Sequence, residues 1–211
     1  DEAAKAAYID RHGMHAFRLA QSSGQYSSPD GAFYGGQAPS WSNRTLRSIV
    51  RKYGAAATHL GWIDIHTGLG PCGHGEKLYG GRNVPAEIAQ ARAWWGPDVF
   101  TPFVVGESVA VGATGMVVSV AYDECPQASP ALIGLEFGTL PLDEVDPRLL
   151  ADTWLRCHPE APMAQQRAIR RNLRDAFYCD NDAWKGMVLG QARVALLQAI
   201  VGLAASHAGQ A

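Results

Sequence analysis

The chain has 211 residues, enough to bury one substantial core, and nothing in that length demands more than a single domain spanning 1–211. Eighteen Lys and Arg stand against 20 Asp and Glu, a net charge of −2. That balance excludes the basic footprint of a nucleic-acid binder or of a protein drawn to an acidic membrane surface.

Taken in chain order, residues Glu2 to about Ala20 are rich in Ala and straight-chain side chains, with Tyr8, Ile9, Phe17 and Leu19 as apolar anchors. This composition predicts a helix broken at Gly13. The stretch SSGQYSSPDGAFYGGQAPS follows, a loop punctuated by Tyr26, Phe33 and Tyr34 and too aromatic to be a plain linker. From Ser42, taken as the cap, Leu46, Ile49, Val50 and Tyr53 recur on one helical face and Gly54 supplies a stop. Thr58 to His66 is short and apolar, as a strand covered on both faces would be. Pro85 opens a helix to about Trp95. Residues 99–122 are ambiguous between strands and short helices. Ala131 to Thr139 reads as a second buried strand. Three helices close the chain, the first opened by Asp146 and Pro147 and running to about His158, the second over Pro162 to about Tyr178, and the third over Asn181 to Ser206. In RAIRRNLR, residues 167–174, the arginines recur at helical spacing and predict a solvated face.

Cys72, Cys125, Cys157 and Cys179 are scattered, without the close pairs of a thiolate zinc site or a redox motif. The even count permits disulfides, but a chain of this size does not need them, and reduced thiols in a cytoplasmic protein are expected. No unbroken apolar run of about 20 residues announces a membrane span.

Chemistry concentrates at two strand ends. In WIDIHTGLGPCGHGE, Asp64 and His66 lie two apart in a strand and so share a face, and Gly68 and Gly70 then allow a ligand to approach the backbone. An imidazole there can ligate a metal while the carboxylate orients it. A buried pair satisfying only its own hydrogen bonds is the alternative. In GLEFG, Glu136 is a carboxylate between Leu135 and Phe137. Such a group needs a cation, a metal-bound water or a proton, and desolvation would raise its pKa toward the range of a general base. An ion pair with one of the arginines is the equal alternative. Arg44 and Arg82 are candidates for binding a substrate carboxylate, and His74 and Glu76 for lining the pocket.

IDIHTG and LEFGT together resemble the downstream half of the zinc carboxypeptidase-like superfamily, which includes succinylglutamate desuccinylase and aspartoacylase. GQYSSPDGAFYGGQAPSWSNRTLR, AYDECPQ and DAFYCDNDAWK are similar to a bacterial branch of it described as a domain of unknown function, and the likeness covers nearly the whole chain. The resemblance implies an α/β fold of the phosphorylase/hydrolase-like kind, with a mixed eight-stranded sheet flanked by helices. It also implies a Zn2+ held by two histidines and a glutamate. His66 resembles the last histidine ligand and Glu136 the general base. The implied activity is hydrolysis of an amide in a small peptide C-terminus or an N-acyl amino acid. A non-catalytic peptide-binding module that has lost its zinc is the alternative. The upstream H-x-x-E motif, which brings the other two ligands, is absent from the chain. The chain is then expected to be the C-terminal portion of the domain, incomplete on its N-terminal side, or a degenerate relative, or one of two assembling pieces. A fragment of this kind is expected to form a homodimer or to associate with the missing N-terminal half.

Overall fold

A computed structural model describes residues 2–104 and 115–208. The elements are α1 (Glu2–Ser23), α2 (Trp41–Gly54), β1 (His59–Cys72), β2 (Gly75–Tyr79), α3 (Pro85–Trp95) and β3 (Val99–Phe100), then α4 (Val120–Glu124), β4 (Ser129–Gly138), α5 (Leu142–Cys157), α6 (Met163–Phe177) and α7 (Asp182–Ala208). The strands form one open sheet in the order β1-β4-β2-β3, with β1 parallel to β4, β2 antiparallel to β4 and β3 parallel to β2. The expected α/β architecture of a mixed sheet flanked by helices is present. Among the described residues the sheet has four strands, where the resemblance implied eight.

β4 is paired on both sides, and Ala131, Leu132 and Ile133 are wholly buried, which is why its sequence is an almost unbroken apolar run. Because residues paired across a sheet share a face, the register divides the core in two. Ile133, Leu135 and Phe137 pack with Trp94 and Trp95 of α3 and with Trp184, Ala195 and Ala199 of α7. On the other face, Leu132 packs with Leu60 and Trp62 of β1 and with Val118 and Ala121 around α4. The second face is the one that carries His66 and Glu136.

Several local expectations change. The cap of α2 is Ser40, whose hydroxyl accepts the Asn43 N–H at 3.2 Å, and Ser42 only bonds the Ser40 hydroxyl. On that helix Ile49 and Tyr53 are exposed, because its neighbour α4 is too short to cover the whole apolar stripe. β1 does not stop at His66 but continues to Cys72 through a register shift between Gly68 and Cys72. GEKLY, unassigned from sequence, is the antiparallel strand β2. α5 begins at Leu142, with Asp143 and Glu144 favourably placed in its first turn, so Pro147 sits inside it rather than opening it. α1 is broken at Gly13 (φ 83°), as expected. Of the ambiguous stretch 99–122, residues 105–114 lie outside those described. Arg167, Arg170, Arg171 and Arg174 are all exposed along α6.

α7 is apolar around most of its circumference. One face packs on β1 and α3, while Leu189, Leu196, Ile200 and Val201 are exposed. Arg193 interrupts its apolar run, and by length and composition alone this helix of 27 residues is long and apolar enough to cross a membrane.

Trp95 ties the layers together: it is fully buried and its indole N–H donates to the Ala195 carbonyl at 3.0 Å. Trp95→Ala is expected to destabilise the fold by about 3–5 kcal/mol, measured as a drop in the urea midpoint at unchanged slope.

Candidate functional site

The β1–β4 ladder sets His66 directly opposite Glu136, and the antiparallel β2–β4 ladder sets Glu76 on the other side of Glu136. Three ionisable side chains thus stand in a row on one face of the sheet. Asp64, two residues before His66, is opposite Gly134, where the lack of a side chain leaves room.

His66 Nε2 lies 2.9 Å from Asp64 Oδ2 and its Nδ1 lies 3.9 Å from Glu136 Oε2. With Nε2–H donated to Asp64, the Nδ1 lone pair is turned toward Glu136. That gap is too long for a direct hydrogen bond and leaves room for a water or a cation to bridge the two. The other Glu136 oxygen, Oε1, accepts the Leu69 N–H at 3.0 Å. Leu69 can reach it because the strand bulges there. Gly68 has φ 145° and Gly70 φ 94°, and a Cβ on Gly68 would stand 2.8 Å from the Phe177 ring of α6.

Glu136 is only 6% exposed. Burial pushes its carboxyl above the usual carboxylate range, the Leu69 N–H and the His66 charge draw it back, and the charges of Glu76 and Asp64 push it further up. The hydrogen bond that His66 donates to Asp64 raises the imidazole against the opposing effect of partial burial.

Asp64, His66 and Glu136 open on a cavity of about 440 Å³, walled also by Arg18 and Gln21 of α1 and by Met116 and Val117. An adjoining space of about 640 Å³ takes in Tyr26 and Tyr34 along with His66 and Glu136. Of the residues singled out from sequence, the structure therefore joins Asp64, His66, Glu136 and, behind them, buried Glu76. Arg44 lies on the exposed side of α2, donates to the Pro39 carbonyl at 2.6 Å and does not line that cavity. Arg82, which does not line it either, is held by an ion pair with Glu87 and stacked 4.2 Å over the Tyr122 ring. His74 is exposed in the β1–β2 turn, outside the cavity wall. Tyr79 is buried on the opposite face, its hydroxyl donating to Glu87. Arg18 carried no signal in the sequence, since only the docking of α1 brings it near His66.

Zinc finds only part of a site in these side chains. His66 is oriented as a ligating histidine would be, with a carboxylate behind its second nitrogen. Yet among the described residues no group of three or more His, Cys, Asp or Glu is placed to hold a metal ion, so His66 and Glu136 do not make a zinc centre by themselves.

Both shifts are upward, so the folded chain holds these protons more tightly than the unfolded chain does. The stability drawn from His66 is complete below its unfolded value of about 6.5 and is lost as pH rises through the folded value. In a histidine NMR titration, His66 should show a midpoint above that of an unperturbed imidazole, and Asp64→Asn should bring it down. An unchanged midpoint in the variant would show that the pair does not form.

No curated protein and no solved structure matches the chain. A family described as "protein of unknown function (DUF2817)" matches residues 1–191, nearly the full length, and the chain belongs to that family.

Proposed function

We propose that the chain carries the general base and one metal ligand of a zinc-dependent amide hydrolase of the carboxypeptidase-like superfamily, acting on a peptide C-terminus or an N-acyl amino acid. The observation that carries this reading is the pairing of a buried carboxylate, Glu136, with an aspartate-oriented imidazole, His66, at one level of adjacent strands beside a cavity. A carboxyl raised by burial is a better proton acceptor near neutral pH than an exposed one. With Oε1 fixed by the Leu69 N–H, Glu136 presents Oε2 to a water, takes its proton as the water attacks the amide carbonyl, and returns the proton to the leaving amine. Arg18, on the cavity wall, offers a cation to a substrate carboxylate.

Zinc belongs to this reading as the cofactor, with His66 as one donor and the others supplied from outside the described residues. When bound, such an ion polarises the carbonyl and activates a water. On the natural gene product, Glu136→Gln should lower kcat/KM toward N-acyl amino acids or short peptides by roughly 10²–10⁴-fold with little change in KM. The bound zinc, about one per chain, should remain in that variant and be lost in His66→Ala. A second reading, a peptide-binding module without catalysis, is favoured by the lack of a three-donor group among the described residues. A metal-free, inert protein that still binds peptides would establish it.

We also propose that this region associates through β1 and α7, either with an N-terminal half that completes the sheet or with a second copy. Among the described residues no strand pairs with the outer edge of β1, and Ile65 on that strand is 53% exposed. Beside it a groove of about 800 Å³ is lined by Trp94, Val194, Leu197 and Val201. An exposed strand edge next to a broad apolar surface is what natural proteins cover. The isolated chain should therefore elute as a dimer or larger species in sizing experiments, and a stable monomer across a hundredfold range of concentration would refute this.

A further inference from the structure

The two parts of α1, before and after the break at Gly13, come together with α5 around an apolar recess of about 400 Å³. Tyr8, Phe17, Ala20, Phe33 and Leu150 supply its walls. Tyr8 and Phe17 stand edge to face, their ring centroids 6.3 Å apart. Lys5 and Asp146 fasten one side with an ion pair of 3.6 Å, and Gln21 Nε2 donates to Asp146 Oδ1 at 3.4 Å. Tyr8, Phe33 and Leu150 remain exposed, so the fold gathers apolar side chains around a concavity without filling it.

Phe33 is held there against its backbone preference. It has φ 58°, the one non-glycine residue at positive φ among those described, and that conformation is unfavourable for a bulky side chain. The loop around it is fixed from several sides. The Gln25 N–H donates to the Phe33 carbonyl at 3.0 Å, the Gln25 carbonyl accepts the Gly35 N–H at 2.9 Å, and Arg156 of α5 donates to the Gly31 carbonyl at 3.2 Å. Strain of this kind persists where the surroundings over-determine it, and it concentrates where ligands are gripped.

The recess is continuous with the candidate site. Gln21, Phe33 and Asp146 line both it and the space of about 640 Å³ that reaches His66 and Glu136. Gln21 also follows Arg18 by three residues, one turn along the same side of α1, and both wall the cavity of about 440 Å³. Arg18 thus stands on the site side of Gln21 and the aromatic recess on the other.

Resting on the hydrolase reading above, we propose that this recess is the specificity pocket of the same site and receives an aromatic side chain from the substrate residue that carries the free carboxylate. In a peptide C-terminus and in an N-acyl amino acid alike, that residue is the one released as the amine. With its carboxylate on Arg18, its side chain lies one carbon away and passes Gln21 to enter among Tyr8, Phe17 and Phe33. The faces and edges of those rings suit a further ring better than an aliphatic chain. Lys5 and Asp146 engage each other, which leaves no net charge in the wall to select an acidic or basic side chain.

The test compares N-acetyl-L-phenylalanine with N-acetyl-L-alanine on the natural gene product, by turnover and by binding. The ratio of kcat/KM should favour the phenylalanine compound by roughly 10²-fold. Calorimetry on Glu136→Gln should show that compound binding about tenfold or more tightly than the other. Leu150→Gln and Ala20→Trp, both at exposed positions of the recess wall, should each bring the two ratios close to one. Turnover of both compounds at equal kcat/KM would overturn the pocket and leave the hydrolase reading intact. Tighter binding of the phenylalanine compound, lost in both variants and accompanied by no turnover of either compound, would support the pocket and refute the hydrolase reading. Equal or undetectable binding of the two, or a preference that survives both substitutions, would overturn the pocket.

Discussion

The parallel ladder between β1 and β4 is the constraint on which the rest depends. Its register puts His66 opposite Glu136 and Asp64 opposite Gly134. Side chains alternate along a strand, so a slip of one residue would send His66 to the face packed by α3 and α7 and bring Ile65 to the cavity. The apolar residues prevent that slip. Ile133, Leu135 and Phe137 on one face, and Leu132 with Trp62 on the other, can be buried together in only one alignment. The polar site is held by a register that the hydrophobic core chooses.

Within that frame Glu136 is a local conflict. It is buried, faces a second carboxylate in Glu76, and has a single backbone donor in Leu69. A position selected for stability alone would favour an apolar side chain there. His66 offsets part of the cost only when it carries a proton. Asp64 keeps that proton available by raising the imidazole.

How much of this could be read from the residues depended on how local the cause was. β4, α3, α6 and α7 follow from short-range pattern and from prolines at helix starts, and they stand close to where the sequence puts them. The face shared by Asp64 and His66 follows from strand alternation alone. Other features were hidden because tertiary packing decides them. GEKLY has no strong strand signature and becomes a strand because β4 offers it an edge. Pro147 looked like a helix start, but Asp143 and Glu144 allow the first turn to form earlier. Arg44 and Arg82 are close to the site along the chain and not in space. Arg18 is the reverse case, distant in sequence and brought to the cavity by α1.

The break in α1 governs how that wall is aimed. An unbroken α-helix turns by about 100° per residue, so any change in length upstream would rotate every side chain beyond it. Gly13 leaves helical geometry, and nothing lies within 4 Å of where its Cβ would be. The segment before it, whose Lys5 pairs with Asp146 of α5, can therefore wind to its own phase. The segment after it keeps Arg18 and Gln21 pointed at the cavity. Position 13 thus works as a universal joint, insulating the aim of the cavity wall from whatever length of chain evolution places ahead of it.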